Sequence, residues 1–306
     1  MRLRPRLAAA GASCALAAAG CGLGAGEDAG EVELRVTRDY GAQELVHEDE
    51  SISDSETVMR VLDRSADIET RYGGGFVQSV DGLAGETSDG RRSDWFFYVN
   101  GIESPIGAAD FEVSDGDRVW WDHHDWTAAM RVPAVVGSWP EPFVHGFQET
   151  DWKAAVGCLT AERVCDLVRQ RLVDVGAQMI EQPTENIDER DTIRVVVGPW
   201  SERLEADPAI KLLEQGPAQS GVFATFTGPG PTVLTLLNER GEPAGTLGRG
   251  GGLVAALNPD DGPPTWVVTG TDREGAEAAA GVLGDELRNR YAVAVDEAGP
   301  IGVPVP

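Results

Sequence analysis

Trp120, Trp121, His123, His124 and Trp126 fall within seven residues, and that stretch holds two of the chain's four histidines. On an extended strand side chains alternate, which would put Trp121 and His123 on one face and Trp120, Asp122 and His124 on the other. Indole faces stack on planar ligands, and a neutral imidazole can ligate a metal ion from an axial position. An interdomain hinge would use the same residues, with Trp126 and the apolar segment 130–136 packing against a second module. Trp95, Phe96, Phe97 and Tyr98 carry a similar pair of readings: a core filled by alternate residues, or one aromatic face lining a site. With Phe76, the residues expected to touch a ligand are Trp95, Phe97, Trp120, Trp121, His123 and Trp126. His145 reads as a surface histidine, and no metal site is expected.

Catalytic patterns are missing. The chain has no GxSxG, HExxH, CxxC or GxxxxGK[ST] sequence, so neither an activated serine, a zinc protease helix, a dithiol nor a phosphate loop is encoded in known form. The glycine run 248–252 precedes a strand and reads as a hairpin loop. At Gly270-Thr271-Asp272 a strand runs into a helix, whose first amides would be taken up by the Asp272 carboxylate itself. Acidic residues outnumber basic ones 51 to 25, for a net charge of -26. Such a field repels nucleic acid and anionic membrane surfaces. The expectation is a non-catalytic binding protein, with a structural or adhesive envelope module as the alternative.

Four cysteines divide between two roles. Arg2, Arg4 and Arg6 precede the apolar run 7–19, which is shorter than the ~20 residues a membrane-spanning helix needs. Residues 1–21 therefore read as a signal peptide. Its end, Ala18-Ala19-Gly20-Cys21, resembles a lipobox with Ala18 where leucine is usual, so Cys21 is the expected lipidation site. Residues 22–30 read as a flexible tether, placing the protein on the outer face of a cell membrane through its lipid anchor. Cys158 and Cys165 are expected to form a disulfide. Seven residues apart on one helix they would lie ~10 Å from each other, out of reach, but a helix over 161–175 capped by Thr160 leaves Cys158 free to fold back.

The elements that position the aromatic residues follow from periodicity. Alternating Val32, Leu34 and Val36 predict a strand over 31–40, and 42–47 a second. Ser53-x-x-Glu56 has the form of a capping box before a helix ending near Ser65. A strand at 76–80 leaves through the Asp81-Gly82 turn. The strand 95–99 closes at Asn100-Gly101, a hairpin signal because both positions tolerate positive φ. Asp115-Gly116-Asp117 is a further turn, followed by a strand through Trp120 and Trp121.

A helix followed by GGGFVQSVDGL and then SDWFFYVNGIESPIGAADFEVSDGDRVWWD resembles the transcobalamin-like C-terminal domain family. The features that carry the resemblance are Phe76, Asp81-Gly82, Trp95, the Tyr98-to-Gly101 segment, Gly107, Asp115-Gly116-Asp117 and Trp120 or Trp121. It implies a small β-grasp-like α+β domain over residues 31–123. In related cobalamin carriers this domain closes over one face of a corrinoid, so the resemblance implies cobalamin, or another flat ligand, as the molecule bound and a membrane transporter component as partner.

Residues 124–152 read as a packed linker and 153–306 as a second, α/β sandwich domain with a mixed sheet, for which no family resemblance is evident. There the expected elements are a strand at 193–197, a helix over 204–215, strands at 222–226, 232–238, 252–257 and 265–269, a helix over 273–290 and a last strand at 291–295.

Overall fold

The computed structural model describes residues 28–180, 189–201, 204, 207–227, 232–260 and 262–306. Cys21, the signal peptide and most of the tether lie outside them. Val32, Leu34 and Val36 are buried along β1 (Asp28–Arg38), as the alternation predicts. The chain reverses at Asp39-Tyr40-Gly41, all at positive φ, into β2 (Gln43–Ser53). β1 pairs antiparallel with β2 and parallel with β9 (Arg118–Asp125). β7 (Arg91–Val99) and β6 (Glu86–Ser88) complete the order β2-β1-β9-β7-β6, with β8 (Ile102–Glu103) joined to β7. β2 is thus an outer edge, with Glu44, Glu48 and Asp49 exposed along it.

Helix α1 (Val58–Ser65) buries Val58, Val61 and Leu62. Its cap is Thr57, which accepts from the Arg60 amide; the capping box expected at Ser53 does not form. Pairing with β1 keeps Ser53 in β2, and its hydroxyl donates to the Glu56 carboxylate. A small antiparallel sheet of β3 (Ile68–Arg71), β4 (Phe76–Val80) and β5 (Leu83–Ala84) follows. Asp81-Gly82 and Asn100-Gly101 both turn at positive φ, as read.

The second sheet has the order β10-β11-β16-β15-β17-β18. β10 (Lys153–Cys158), β11 (Thr192–Pro199) and β16 (Thr265–Gly270) run parallel. β15 (Gly252–Leu257), β17 (Ala292–Asp296) and β18 (Gly299–Val303) add antiparallel pairs. The molecule is α+β, and this sheet is mixed. Helices α2 (Glu162–Asp174) and α3 (Arg273–Gly281) pack with Val254 and Val268 in one core, whereas Leu253, Ala255 and Val267 belong to another with Phe223, Leu234 and Leu236. Leu234 and Leu236 come from a third sheet, β12 (Ala224–Thr227), β13 (Val233–Leu237) and β14 (Pro243–Leu247), and Phe223 immediately precedes its first strand.

Three local expectations differ from the structure. α2 starts after Ala161 with no side-chain cap, so Thr160 does not play that role. α3 stops at Gly281, because Gly284 (φ 153°) breaks the path and only a short 3-10 turn, Asp285–Leu287, continues it. Of the helix expected over 204–215, Ile210–Gln215 is a 3-10 helix, and residues 205 and 206 lie outside the described ones. Among the described residues no helix is long and apolar enough to cross a membrane.

Both cores run through the two halves of the chain. One contains Leu34 and Trp121 from the first sheet together with Val195 and Trp266 from the second. Trp139 and Phe143 from the intervening segment lie with ring centroids 5.9 and 4.9 Å from that of Trp266. The other core joins Tyr98 and Trp120 to Phe223, Leu253 and Tyr291.

Candidate functional site

Strands β7 and β9 pair antiparallel, with Trp95 opposite His123 and Phe97 opposite Trp121. Period-two alternation then puts these four residues on one face and Phe96, Tyr98, Trp120, Asp122 and His124 on the other. The ring centroids of Phe97 and Trp121 are 4.9 Å apart, and those of Trp95 and His123 are 5.2 Å apart.

On the first face, Phe76, Trp95, Phe97 and Trp121 converge on one pocket of about 210 Å³, bordered by Glu103 and Gly107. β4 delivers Phe76 directly after the glycine run 73–75, where Gly73 and Gly74 take positive φ. Trp95 Nε1 donates to the Leu83 carbonyl at 2.8 Å. Trp121 Nε1 is buried with no hydrogen-bond partner. An unpaired buried donor costs about 1–3 kcal/mol. Phe76 is 38% exposed, so the pocket has an open rim.

Trp120 sits on the opposite face. Buried in the shared core, it donates from Nε1 to Thr37 Oγ1 at 2.7 Å and meets the Tyr291 ring at 5.3 Å. It lines no part of the aromatic pocket, because the second half of the chain covers that face. Beside it Asp122 is completely buried and bonded to Thr37, the amides of Tyr40 (3.1 Å) and Gly41 (2.9 Å), Tyr291 Oη (3.0 Å) and His124 Nδ1 (2.9 Å). Burial alone would raise its pKa, but the bonds from His124, Thr37 and the Gly41 amide outweigh it and hold the carboxyl below its ordinary range. His124 stacks on Phe96 at 4.4 Å. The sequence gives little warning of this network: its members come from positions 37, 40, 41, 122, 124 and 291, and only Asp122, an acid on the inward face of an aromatic strand, hints at it.

His123 lies next to the aromatic pocket without lining it. Its Nε2 is 3.2 Å from the Ala84 carbonyl, and it borders a separate polar hollow of about 270 Å³ with Asp125 and Glu239. Burial pushes its pKa down. Trp126 is elsewhere again, with the Arg92 guanidinium carbon 4.0 Å from its ring centroid, a cation–π contact. Among the described residues no cluster of three or more His, Cys, Asp or Glu is arranged to hold a metal. Cys158 and Cys165 are joined by a disulfide, with Cα atoms 5.8 Å apart.

The stretch that carries α1, β3 to β9 and all four pocket aromatics is also the stretch with relatives. Residues 55–125 match the family described as Domain of unknown function (DUF4430). The DUF4430 match leaves out β1 and β2, although both belong to the same sheet. No curated protein matches the chain. Among solved structures, one of a candidate metal binding protein from Ruminococcus gnavus matches at 21% identity and a TM-score of 0.25, over 31% of this chain and 97% of that one.

Proposed function

We propose that the chain is a non-catalytic binding protein of the cell envelope that holds a flat small molecule against the aromatic face of its first sheet. The observation that carries this reading is the convergence of Phe76, Trp95, Phe97 and Trp121 on one pocket. The resemblance of residues 31–123 to transcobalamin-like C-terminal domains supports a corrinoid as the first ligand to test. At about 210 Å³ the pocket is below the roughly 300–1,000 Å³ of sites that enclose a drug-sized molecule. It would therefore grip an edge or one face of a corrinoid, leaving the other face for a transporter component. The aromatic pocket offers no imidazole for axial coordination, since His123 is directed to Ala84. Export and anchoring at Cys21 belong to the same proposal, and a disulfide between Cys158 and Cys165 suits an oxidising compartment.

A second reading, an adhesive module docking on protein or cell wall, is favoured by exposed apolar residues around the pocket. Tyr72, 87% exposed, lies 6.2 Å from Phe76 ring to ring, and Ile106, 43% exposed, adjoins the lining residue Gly107.

Calorimetric and visible-spectral titration of the purified full chain with cobalamin and cobinamide separates the two. Saturable binding is expected. Phe97→Ala should weaken it about tenfold through lost stacking area, and Trp121→Phe several-fold through the smaller ring face. His123→Ala should leave the spectrum of the bound corrinoid unchanged. Absence of heat and of spectral change with both corrinoids would remove the corrinoid reading and leave the adhesive module in front.

A further inference from the structure

A cleft of about 810 Å³ lies apart from the aromatic face. It opens where the two halves of the chain meet. Its walls come from the β1–β2 turn, the β13–β14 turn, the segment leading into β17, and residues 302–306. Three arginines line it, Arg240, Arg288 and Arg290, in a chain with twice as many acidic as basic residues.

The charges around the cleft do not cancel. Its two acidic lining residues are engaged by arginines outside it: Asp39 by Arg38 at 3.6 Å, and Glu239 by Arg91. Glu33, whose charge interacts with Arg288, is bonded to Arg35 and, at 3.1 Å, to Arg118. Among the described residues Arg240, Arg288 and Arg290 have no carboxylate within ion-pair distance, and Nη1 of Arg290 is buried without any partner. At physiological salt fields decay over about 8 Å. A small anion inside the cleft therefore responds to these three guanidinium groups more than to the net charge of the whole surface.

The backbone holds the three arginines in place. Asn238 Oδ1 accepts the Arg240 amide at 3.0 Å. Between the other two, Asn289 donates to Glu44 at 2.8 Å and accepts from Arg35 at 3.1 Å. Gly41 makes this approach feasible: a Cβ there would fall 2.0 Å from the Asn289 carbonyl oxygen. The stem of Arg290 runs beside Gly302 of β18, 3.5 Å from where a Cβ would stand, an ordinary contact distance. Guanidinium groups gathered on held backbone suit oxyanions, which they bind with paired, charge-assisted hydrogen bonds.

We propose that this cleft binds a small organic anion bearing two or more carboxylate or phosphate groups, held by Arg240, Arg288 and Arg290, with its carbon skeleton against Tyr40, Val303 and Val305. The site is separate from the aromatic pocket, and it exists only while the two halves are packed together.

The test is calorimetric titration of the purified full chain with citrate and with pyrophosphate, which separates carboxylate from phosphate preference. Saturable binding of at least one is expected. Arg240→Gln, at an exposed turn, should weaken it about tenfold, and the double variant Arg288→Gln/Arg290→Gln should abolish it. Arg249→Gln is the control, because Arg249 lies outside the cleft and pairs with Glu274; it should bind as the parent does. Circular dichroism and melting checked on each variant keep unfolding from being read as lost binding. The proposal is overturned if neither anion binds at millimolar concentration, if Arg240→Gln and a folded double variant both bind like the parent, or if Arg249→Gln loses as much as they do.

Discussion

Asp122 gathers the buried polar network beneath the aromatic strand. Five groups bond to its two oxygens, and the Tyr40 and Gly41 amides would be left unpaired in a dry interior if the carboxylate were truncated. Asp122→Ala should therefore cost about 3–5 kcal/mol in urea unfolding, well above the effect of a surface substitution. Because the folded-state pKa lies below the unfolded value of about 3.9, this carboxylate contributes stability above that pH. The contribution disappears as pH falls through the lower folded value. Asp94 and Asp117, raised by burial, work in the opposite sense. Subtracting the Asp122→Asn unfolding free energy from the parent's at each pH between 3 and 6 isolates Asp122: the difference should shrink toward acid. A difference independent of pH over that range would mean that folding leaves the Asp122 pKa unchanged, and one that grows toward acid would mean that Asp122 is not ionised in the folded state.

At the scale of elements, the helix cap separates two assignments. Thr57→Ala should cost about 1 kcal/mol in urea unfolding, as N-cap removals do, and Ser53→Ala much less. Equal costs would return the cap to Ser53. Here the sequence misleads for a physical reason: Ser-x-x-Glu satisfies a local template, but eleven residues of β2 are held by pairing with β1, and no local pattern records how far that pairing runs. Strands β1, β4, β7, β11, β15 and β16 were legible because burial on one or both faces leaves period-two or continuous apolar runs. The turns Asp81-Gly82 and Asn100-Gly101 were legible because positive φ restricts the choice of residue. The end of α3 was not, since its alanines continue the helical pattern as far as Gly281. β14 was missed for want of buried residues: Pro243, Ala244 and Thr246 are exposed and leave no alternation to read. Within the candidate site, Phe76, Trp95, Phe97 and Trp121 follow from alternation alone. The place of Trp120 depends on which face the second half covers, and that is long-range packing.

For the whole molecule, cores that run through both halves make separate unfolding unfavourable. Trp120→Ala, at the contact with Tyr291, should destabilise the protein by about 3–5 kcal/mol. Tryptophan fluorescence and far-ultraviolet dichroism should still report one coincident transition. Two resolved transitions in the parent protein would show that the halves fold independently. The same continuity keeps the arginine cleft closed on two sides. At the outer margin of the first sheet, β2 presents Glu44, Glu48 and Asp49 to solvent along an open edge. An unpaired strand is a template for the strands of neighbouring copies, and like charges along it make that pairing repulsive. Where many copies are crowded together, the row of carboxylates keeps the β2 of one molecule from zipping onto that of the next.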